Sequence, residues 1–329
     1  MFSEIPKLFD KNFAVGYLIP SIVLLLGFQT LLYAFGITYL PPYLTMDNPV
    51  VGSAVIVVLG WLVGIVLAAT NRDLIRFLEG YGRLNPLRVF LPRERARFRR
   101  LAERIWELED KYPNRTDLEK DELNRLSQEQ VMNFPDQEKW VLPTSFGNAI
   151  RAFEVYPRLM YGVDSIALWP RLLTVIPAEY KVYIDDAKAP MDFWLNMGIS
   201  LFVLLLSSLG MWVYDLRMGI EVHYLPFVLL LIAEVLLILL CLYRARRSAI
   251  GWGQTVKSAF DVYLPDLAAK VGLKLPDTRE ERRIMWEKYG VALLYARWDV
   301  LPELAKPEDT KETKHEGLLA WIIRLLTGG

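Results

Sequence analysis

Four long apolar segments are the feature that most constrains how this chain of 329 residues can fold. They cover residues 13–35, 50–69, 193–214 and 222–243, and Glu234 is the one Asp, Glu, Lys or Arg inside them. A helix rises about 1.5 Å per residue, so about 20 apolar residues cross a hydrocarbon layer about 30 Å thick. Lipid offers the backbone no hydrogen-bond partner, so each segment is predicted to be a helix.

The composition agrees with a membrane protein that has large water-facing parts. The chain is 53% hydrophobic and 23% charged, with a mean hydropathy of +0.23. The two fractions coexist because the charged residues lie outside the apolar segments. This excludes a fully soluble enzyme, a disulfide scaffold and a disordered chain. The formal net charge of zero gives no reason to expect nucleic acid as a partner.

Short links group the apolar segments into two transmembrane helical hairpins. The link 36–49 has no Lys or Arg, and the link 215–221 has only Arg217. By the positive-inside rule, both termini and the long central region are predicted to be cytoplasmic, at a bacterial inner membrane. The predicted organisation is an N-terminus 1–12, hairpin 13–69, helical region 70–192, hairpin 193–243 and helical C-terminal region 244–329. The predicted fold class is therefore an all-α polytopic membrane protein with helical cytoplasmic segments.

Several further features of the sequence carry more specific expectations. The stretch 71–110 has ten arginines and no lysine, and it is either a surface for anionic lipid, in the region Arg72–Arg104, or a salt-bridged helix face. Pro20 predicts an irregularity in the first span, and Pro265 predicts a break in the helical segment after the fourth. The apolar cluster 318–326 is predicted to be a membrane-surface helix or a subunit contact.

Patterns typical of catalysis are missing from the sequence. There is no HExxH, GxSxG or Walker motif, and no GxGxxG after a predicted strand. We therefore predict no catalytic residues, no cofactor, no metal site and no enzymatic activity. Arg151 and Glu154 lie three residues apart on a predicted helix and are expected to form a cytoplasmic polar pair.

The membrane interior holds the most informative polar residue. A charge at the centre of a span costs about 2.5–3.5 kcal/mol, so Glu234 is expected to face other helices or a water-filled path. It is either an ion or proton contact or a buried carboxyl bonded to a neighbouring helix. Asn196, Ser200 and Ser207 follow one stripe of the third span. Together with Glu234 they form the candidate intramembrane polar path.

Small residues mark candidate faces for helix packing. Ser53, Gly60, Gly64 and Ala68 share a face of the second span, and Gly210 lies on the polar stripe of the third. Small side chains let two helices approach closely, so packing is the preferred interpretation over pore lining. The pattern does not distinguish packing within one chain from packing between chains.

Four motifs resemble those of a family of uncharacterised bacterial membrane proteins: FDKNFAVGYLIP, PTSFGNAIRAFEVYP, YGVDSIALWPRL and SAFDVYLPDL. The resemblance covers most of the chain. It implies a bacterial inner-membrane protein with four spans, and it implies no activity and no functional residues. The order of hairpins and cytosolic helices is also similar to that of bestrophin-type anion channels, whose motifs are missing from this sequence. That likeness is one of topology alone.

These features lead to a primary hypothesis and two alternatives. The primary hypothesis is a homo-oligomer in the lipid bilayer with a channel-like or ion-conducting role. The first alternative is a non-conducting membrane scaffold or signalling component that docks a cytosolic protein of unknown identity. The second is an effector that disrupts the membrane.

Overall fold

The computed structural model describes residues 10–35, 49–219, 224–297 and 300–301. These residues form nine α-helices and contain no β-strand. The helices are α1 (Lys11–Ala34), α2 (Pro49–Glu79), α3 (Leu91–Asp110), α4 (Asp117–Asn133), α5 (Ser145–Tyr161), α6 (Ser165–Leu172), α7 (Ala178–Met218), α8 (Tyr224–Lys270) and α9 (Arg279–Tyr295). Short 3₁₀ turns follow α2 and α4, at Pro86–Phe90 and Glu138–Trp140.

Four of these helices are long and apolar enough to cross a membrane, namely α1, α2, α7 and α8. Each includes most of one of the four apolar segments, so the predicted fold class, an all-α polytopic membrane protein, is confirmed. The cluster 318–326, the N-terminal residues 1–9 and most of the link 36–49 lie outside the described residues. The predictions made for them stay predictions.

Helices α7 and α8 are much longer than the apolar segments inside them. Their 41 and 47 residues correspond to about 60 and 70 Å, against about 30 Å of hydrocarbon. The predicted break at Pro265 is wrong, because α8 continues through it to Lys270. Pro265 removes one backbone hydrogen bond, and the buried side chains of Leu264 and Leu267 hold the helix on either side of it.

Close approach of α2 to α1 depends on glycine. A Cβ atom added at Gly60 would lie 2.9 Å from Cγ1 of Ile22, and one at Gly64 would lie 3.2 Å from Cζ of Phe13. Both distances are too short for a larger side chain without movement of the neighbour. Gly210 differs, because a Cβ there has nothing within 4 Å among the described residues.

Helices α7 and α8 pack side by side as an antiparallel pair. The Cβ position of Gly198 lies 3.3 Å from Cβ of Cys241. Fourteen residues farther along α7, the rings of Trp212 and Phe227 stack with centroids 5.2 Å apart. From the first contact to the second, the residue number rises by 14 on α7 and falls by 14 on α8, as expected of antiparallel helices in one register.

Helices α3 and α4 form a separate hairpin with its own small core. Ile105, Leu108 and Leu126 are buried together between the two helices. Thr116 starts α4 with a capping box, in which its hydroxyl accepts from the Glu119 N–H and the Glu119 carboxylate accepts from the Thr116 N–H. The apolar stripe and the cap both appear in the sequence at helical spacing.

The chain forms two compact units. One lies within residues 1–156 and 177–258, and contains α1, α2, α7 and the part of α8 that precedes residue 259. The other lies within residues 157–176 and 259–329. In that second unit the Trp169 and Phe260 rings are 5.8 Å apart, and the Tyr161 hydroxyl donates to Asp261 at 2.7 Å.

Candidate functional site

The first membrane helix is irregular at Pro20, and α7 supplies polar groups at that position. Residues 14–18 form a π-helical turn immediately before Pro20. Because proline has no N–H, the carbonyl of Gly16 loses the donor that an α-helix would give it. The Asn196 side-chain amide donates to this carbonyl at 3.0 Å, and the Ser200 hydroxyl donates to the Pro20 carbonyl at 3.1 Å.

Both α7 side chains are fully buried where they meet α1. In hydrocarbon an unpaired backbone carbonyl costs several kcal/mol, so donors from a neighbouring helix stabilise an irregular turn. Asn196 and Ser200 therefore act on the backbone of α1 in this arrangement. Their predicted place in a polar path stays a prediction.

A partly buried ion pair lies where α1, α2 and α7 meet, just before the apolar segment of α7. Asp192 is 5% exposed, and the Lys188 ammonium donates to its two carboxylate oxygens at 2.9 and 2.6 Å. The Tyr17 hydroxyl and the Asn71 side-chain amide donate to the same carboxylate, each at 3.0 Å. One carboxylate thus joins α1, α2 and α7 and carries a compensating positive charge from its own helix.

We call Asp192 and the side chains that donate to it, those of Lys188, Tyr17, Asn71 and Asn196, the Asp192 cluster. This cluster also contains hydrogen-bond acceptors that are not used. The amide oxygens of Asn71 and Asn196 are buried and accept no hydrogen bond from the residues that the structure describes. Both side chains use their amide nitrogens on Asp192 or on backbone carbonyls. A water molecule or a cation is the kind of group that would complete these oxygens.

Glu234 lies midway along the apolar part of α8 and is paired with α7. Its side chain is 6% exposed, and its Oε1 accepts from the Ser208 hydroxyl at 3.1 Å. Its Oε2 is buried with no hydrogen-bond partner among the described residues. Ser207, which the sequence placed on the polar stripe, donates instead to the Val203 carbonyl of its own helix at 2.8 Å.

The polar pair Arg151–Glu154 is present on α5. Nη1 of Arg151 lies 3.2 Å from Oε2 of Glu154, and the Arg151 guanidinium also donates to the Tyr81 hydroxyl. Nearby, a Cβ added at Gly147 would lie 2.9 Å from Cα of Glu79, so α5 touches the end of α2 closely. The pair therefore helps to hold α5 against the polar end of a membrane helix.

Sequence reasoning missed the residues that complete both clusters. Asp192 and Lys188 lie just before the third apolar segment, and Tyr17 and Asn71 lie on other helices more than 100 positions away. Ser208 is adjacent to the predicted Ser207. Two adjacent serines were the available signal, and the sequence could not say which one faces α8.

Comparisons with protein-family models, with curated proteins and with solved structures find no match to this chain. The resemblance to a family of bacterial four-span proteins and the bestrophin-like topology therefore stay predictions. No group of three or more His, Cys, Asp or Glu residues able to hold a metal ion occurs in the described part of the chain. Two buried polar clusters, the groups around Asp192 and the Ser208–Glu234 pair, are the features that bear on function.

Proposed function

We propose that this protein is a homo-oligomeric, channel-like protein of a bacterial inner membrane, with both termini in the cytoplasm and Glu234 on its ion path. The observation that carries the proposal is the buried Oε2 of Glu234, which finds no partner among the described residues. Leaving a buried polar group unpaired costs about 1–3 kcal/mol, and more if it is charged. A lipid chain cannot supply the missing group.

Water or an ion in a path between subunits would complete the Glu234 carboxyl. Four helices enclose little space, so such a path requires more than one copy of the chain. Intramembrane carboxyls with an open coordination position are typical of ion and proton pathways. Ser208 holds one oxygen in place and leaves the other available to the path.

The remaining polar residues have supporting positions in this proposal. Asn196 and Ser200 stabilise the irregular turn of α1, and the Asp192 cluster fixes the polar end of the bundle. Helices α7 and α8 continue without a break beyond the apolar segments. A movement of their polar ends would therefore reach the Ser208–Glu234 contact through continuous helix.

Ion flux through purified, reconstituted protein tests the proposal. We expect flux above that of empty liposomes, and we expect Glu234→Gln to change its rate or ion preference. Glu179→Gln is the matched control, because it makes the same chemical change at an exposed site on the first turn of α7. Flux equal to that of empty liposomes would contradict the proposal and favour the scaffold alternative, for which Glu234→Gln changes stability alone.

A further inference from the structure

The arginine-rich stretch 71–110 contains two groups of three arginines whose surroundings differ. The first group lies on α3 and forms ion pairs with carboxylates. Arg97 pairs with Glu129 at 3.2 Å, and Arg104 pairs with Glu122 at 2.9 Å. Arg99 likewise donates to a carboxylate, that of Glu138. These three arginines are neutralised within the protein, as expected of a salt-bridged helix face.

The second group lies in residues 80–93, which include the first three residues of α3 and which we call the arginine loop. Arg83, Arg88 and Arg93 are exposed, and their side chains have no hydrogen-bond or ion-pair partner in the described part of the chain. The loop contains no acidic residue. Of the two flanking acids, Glu79 is buried, and Glu94 accepts from Asn148 at 3.0 Å. The loop is therefore a positively charged surface without an internal counter-charge.

Large apolar side chains alternate with these arginines. Leu84 is 96% exposed, Val89 is 72% exposed and Phe90 is 46% exposed. A free phosphate ion would match the arginines and leave these side chains in water. A bilayer surface matches both, because its headgroups carry phosphate and the layer beneath accepts apolar side chains.

The loop has a fixed position near the end of a membrane helix. The Asn85 amide donates to the carbonyls of Phe77 and Tyr81 at 2.7 and 3.0 Å, which folds the loop back onto α2. Gly80 makes the turn with a φ of +86°. Helix α2 continues ten residues past the apolar segment 50–69, about 15 Å. The headgroup layer spans about 5–8 Å of that distance, and the remainder is about one Debye length.

We propose that the arginine loop is a docking site for anionic phospholipid. Across that distance Arg83, Arg88 and Arg93 are attracted to headgroup phosphates, and binding draws Leu84, Val89 and Phe90 into the interfacial layer. Each arginine near such a surface contributes roughly fivefold to binding, and three together contribute roughly a hundredfold. The proposal goes beyond ion conduction and does not depend on it.

A fluorescent probe at Leu84 tests the docking. The full chain carries Leu84→Cys in a Cys241→Ala background, is labelled with an environment-sensitive dye, and is placed in lipid nanodiscs. We expect headgroup-nitroxide lipids to quench the dye strongly in discs that contain phosphatidylglycerol and weakly in pure phosphatidylcholine. Salt at about 1 M, where the Debye length is about 3 Å, should reduce the difference.

Two matched controls separate docking from general effects. Leu118→Cys places the same probe at a site that is 82% exposed on α4, and we expect no quenching there. Replacing Arg83, Arg88 and Arg93 together by Gln should abolish the preference for phosphatidylglycerol. Replacing the paired Arg97, Arg99 and Arg104 by Gln should preserve it, because exposed ion pairs contribute only about 0–1 kcal/mol each to folding.

Three results would overturn the proposal. One is a Leu84 probe that is quenched no more than the Leu118 probe. Another is equal quenching in both lipids that survives the loss of the three loop arginines. The third is a Leu84 probe already shielded from water in lipid-free detergent, which would assign the loop to a contact between copies of this chain.

Discussion

Asp192→Asn is expected to destabilise the protein by about 3 kcal/mol. The change keeps the shape of the side chain and removes the negative charge that Lys188 contacts at 2.6 Å. It also replaces one acceptor oxygen by an NH2 group, which is a donor. The Tyr17 hydroxyl and the Asn71 amide both donate to this carboxylate, so one of them would then face another donor. Breaking a buried pair by changing one partner costs about 3–5 kcal/mol. We take the lower end because the Lys188 side chain is 28% exposed.

Reversible unfolding in mixed micelles measures this loss. Asp186→Asn is the matched control, since Asp186 lies on the same helix, is exposed and accepts one hydrogen bond from Asn12. Its cost should stay within about 0.5 kcal/mol. A double-mutant cycle with Lys188→Met should give a coupling energy of about 1–3 kcal/mol. If Asp192→Asn costs no more than Asp186→Asn, or if the cycle is additive, the cluster does not hold the three helices together.

Three further outcomes follow from the structure. Asn196→Ala should cost about 1–3 kcal/mol in the same unfolding assay, because it leaves a buried α1 carbonyl without its side-chain donor; a neutral effect would contradict that assignment. Gly60→Val should cost about 1–3 kcal/mol through overpacking against α1, whereas Gly210→Ala should stay within about 0.5 kcal/mol. Hydrogen bonds from the Lys111 side chain and the α4 N-terminus lower the pKa of Glu119 to about 2, so the carboxylate stabilises the folded hairpin above its ordinary pKa of 4.5. This stabilisation should disappear as the pH falls from about 5 to 2. Amide exchange corrected for intrinsic rates should detect the loss in the native chain, and a Glu119→Gln variant with the same pH dependence would refute it.

The four spans could be predicted because membrane thickness sets a length that hydropathy reports directly. The ends of α7 and α8 could not be predicted in the same way. Both helices continue with polar and charged residues beyond their apolar segments, and hydropathy does not detect a helix made of such residues. Pro265 shows the same limit, since a proline interrupts one hydrogen bond and surrounding packing decides whether the helix continues.

The buried clusters were only partly predictable. Asn196 and Ser200 were recognisable as polar residues within a span, and the irregularity at Pro20 was recognisable from proline chemistry. Which α1 carbonyls Asn196 and Ser200 reach depends on how α1 and α7 are rotated against one another. Asp192 was missed because it lies one residue outside the apolar segment, where a charge needs no special explanation. Ser207 and Ser208 differ by about 100° around the helix, and tertiary packing selects between them.

The mass of the native assembly tests whether the open oxygen of Glu234 faces a path formed by more than one copy of the 38.0 kDa chain. Native mass spectrometry of the protein released from detergent or nanodiscs should give an integral multiple of that mass, two copies or more. A strict monomer at every protein concentration would contradict the account, because four helices alone leave no path for the carboxyl to face.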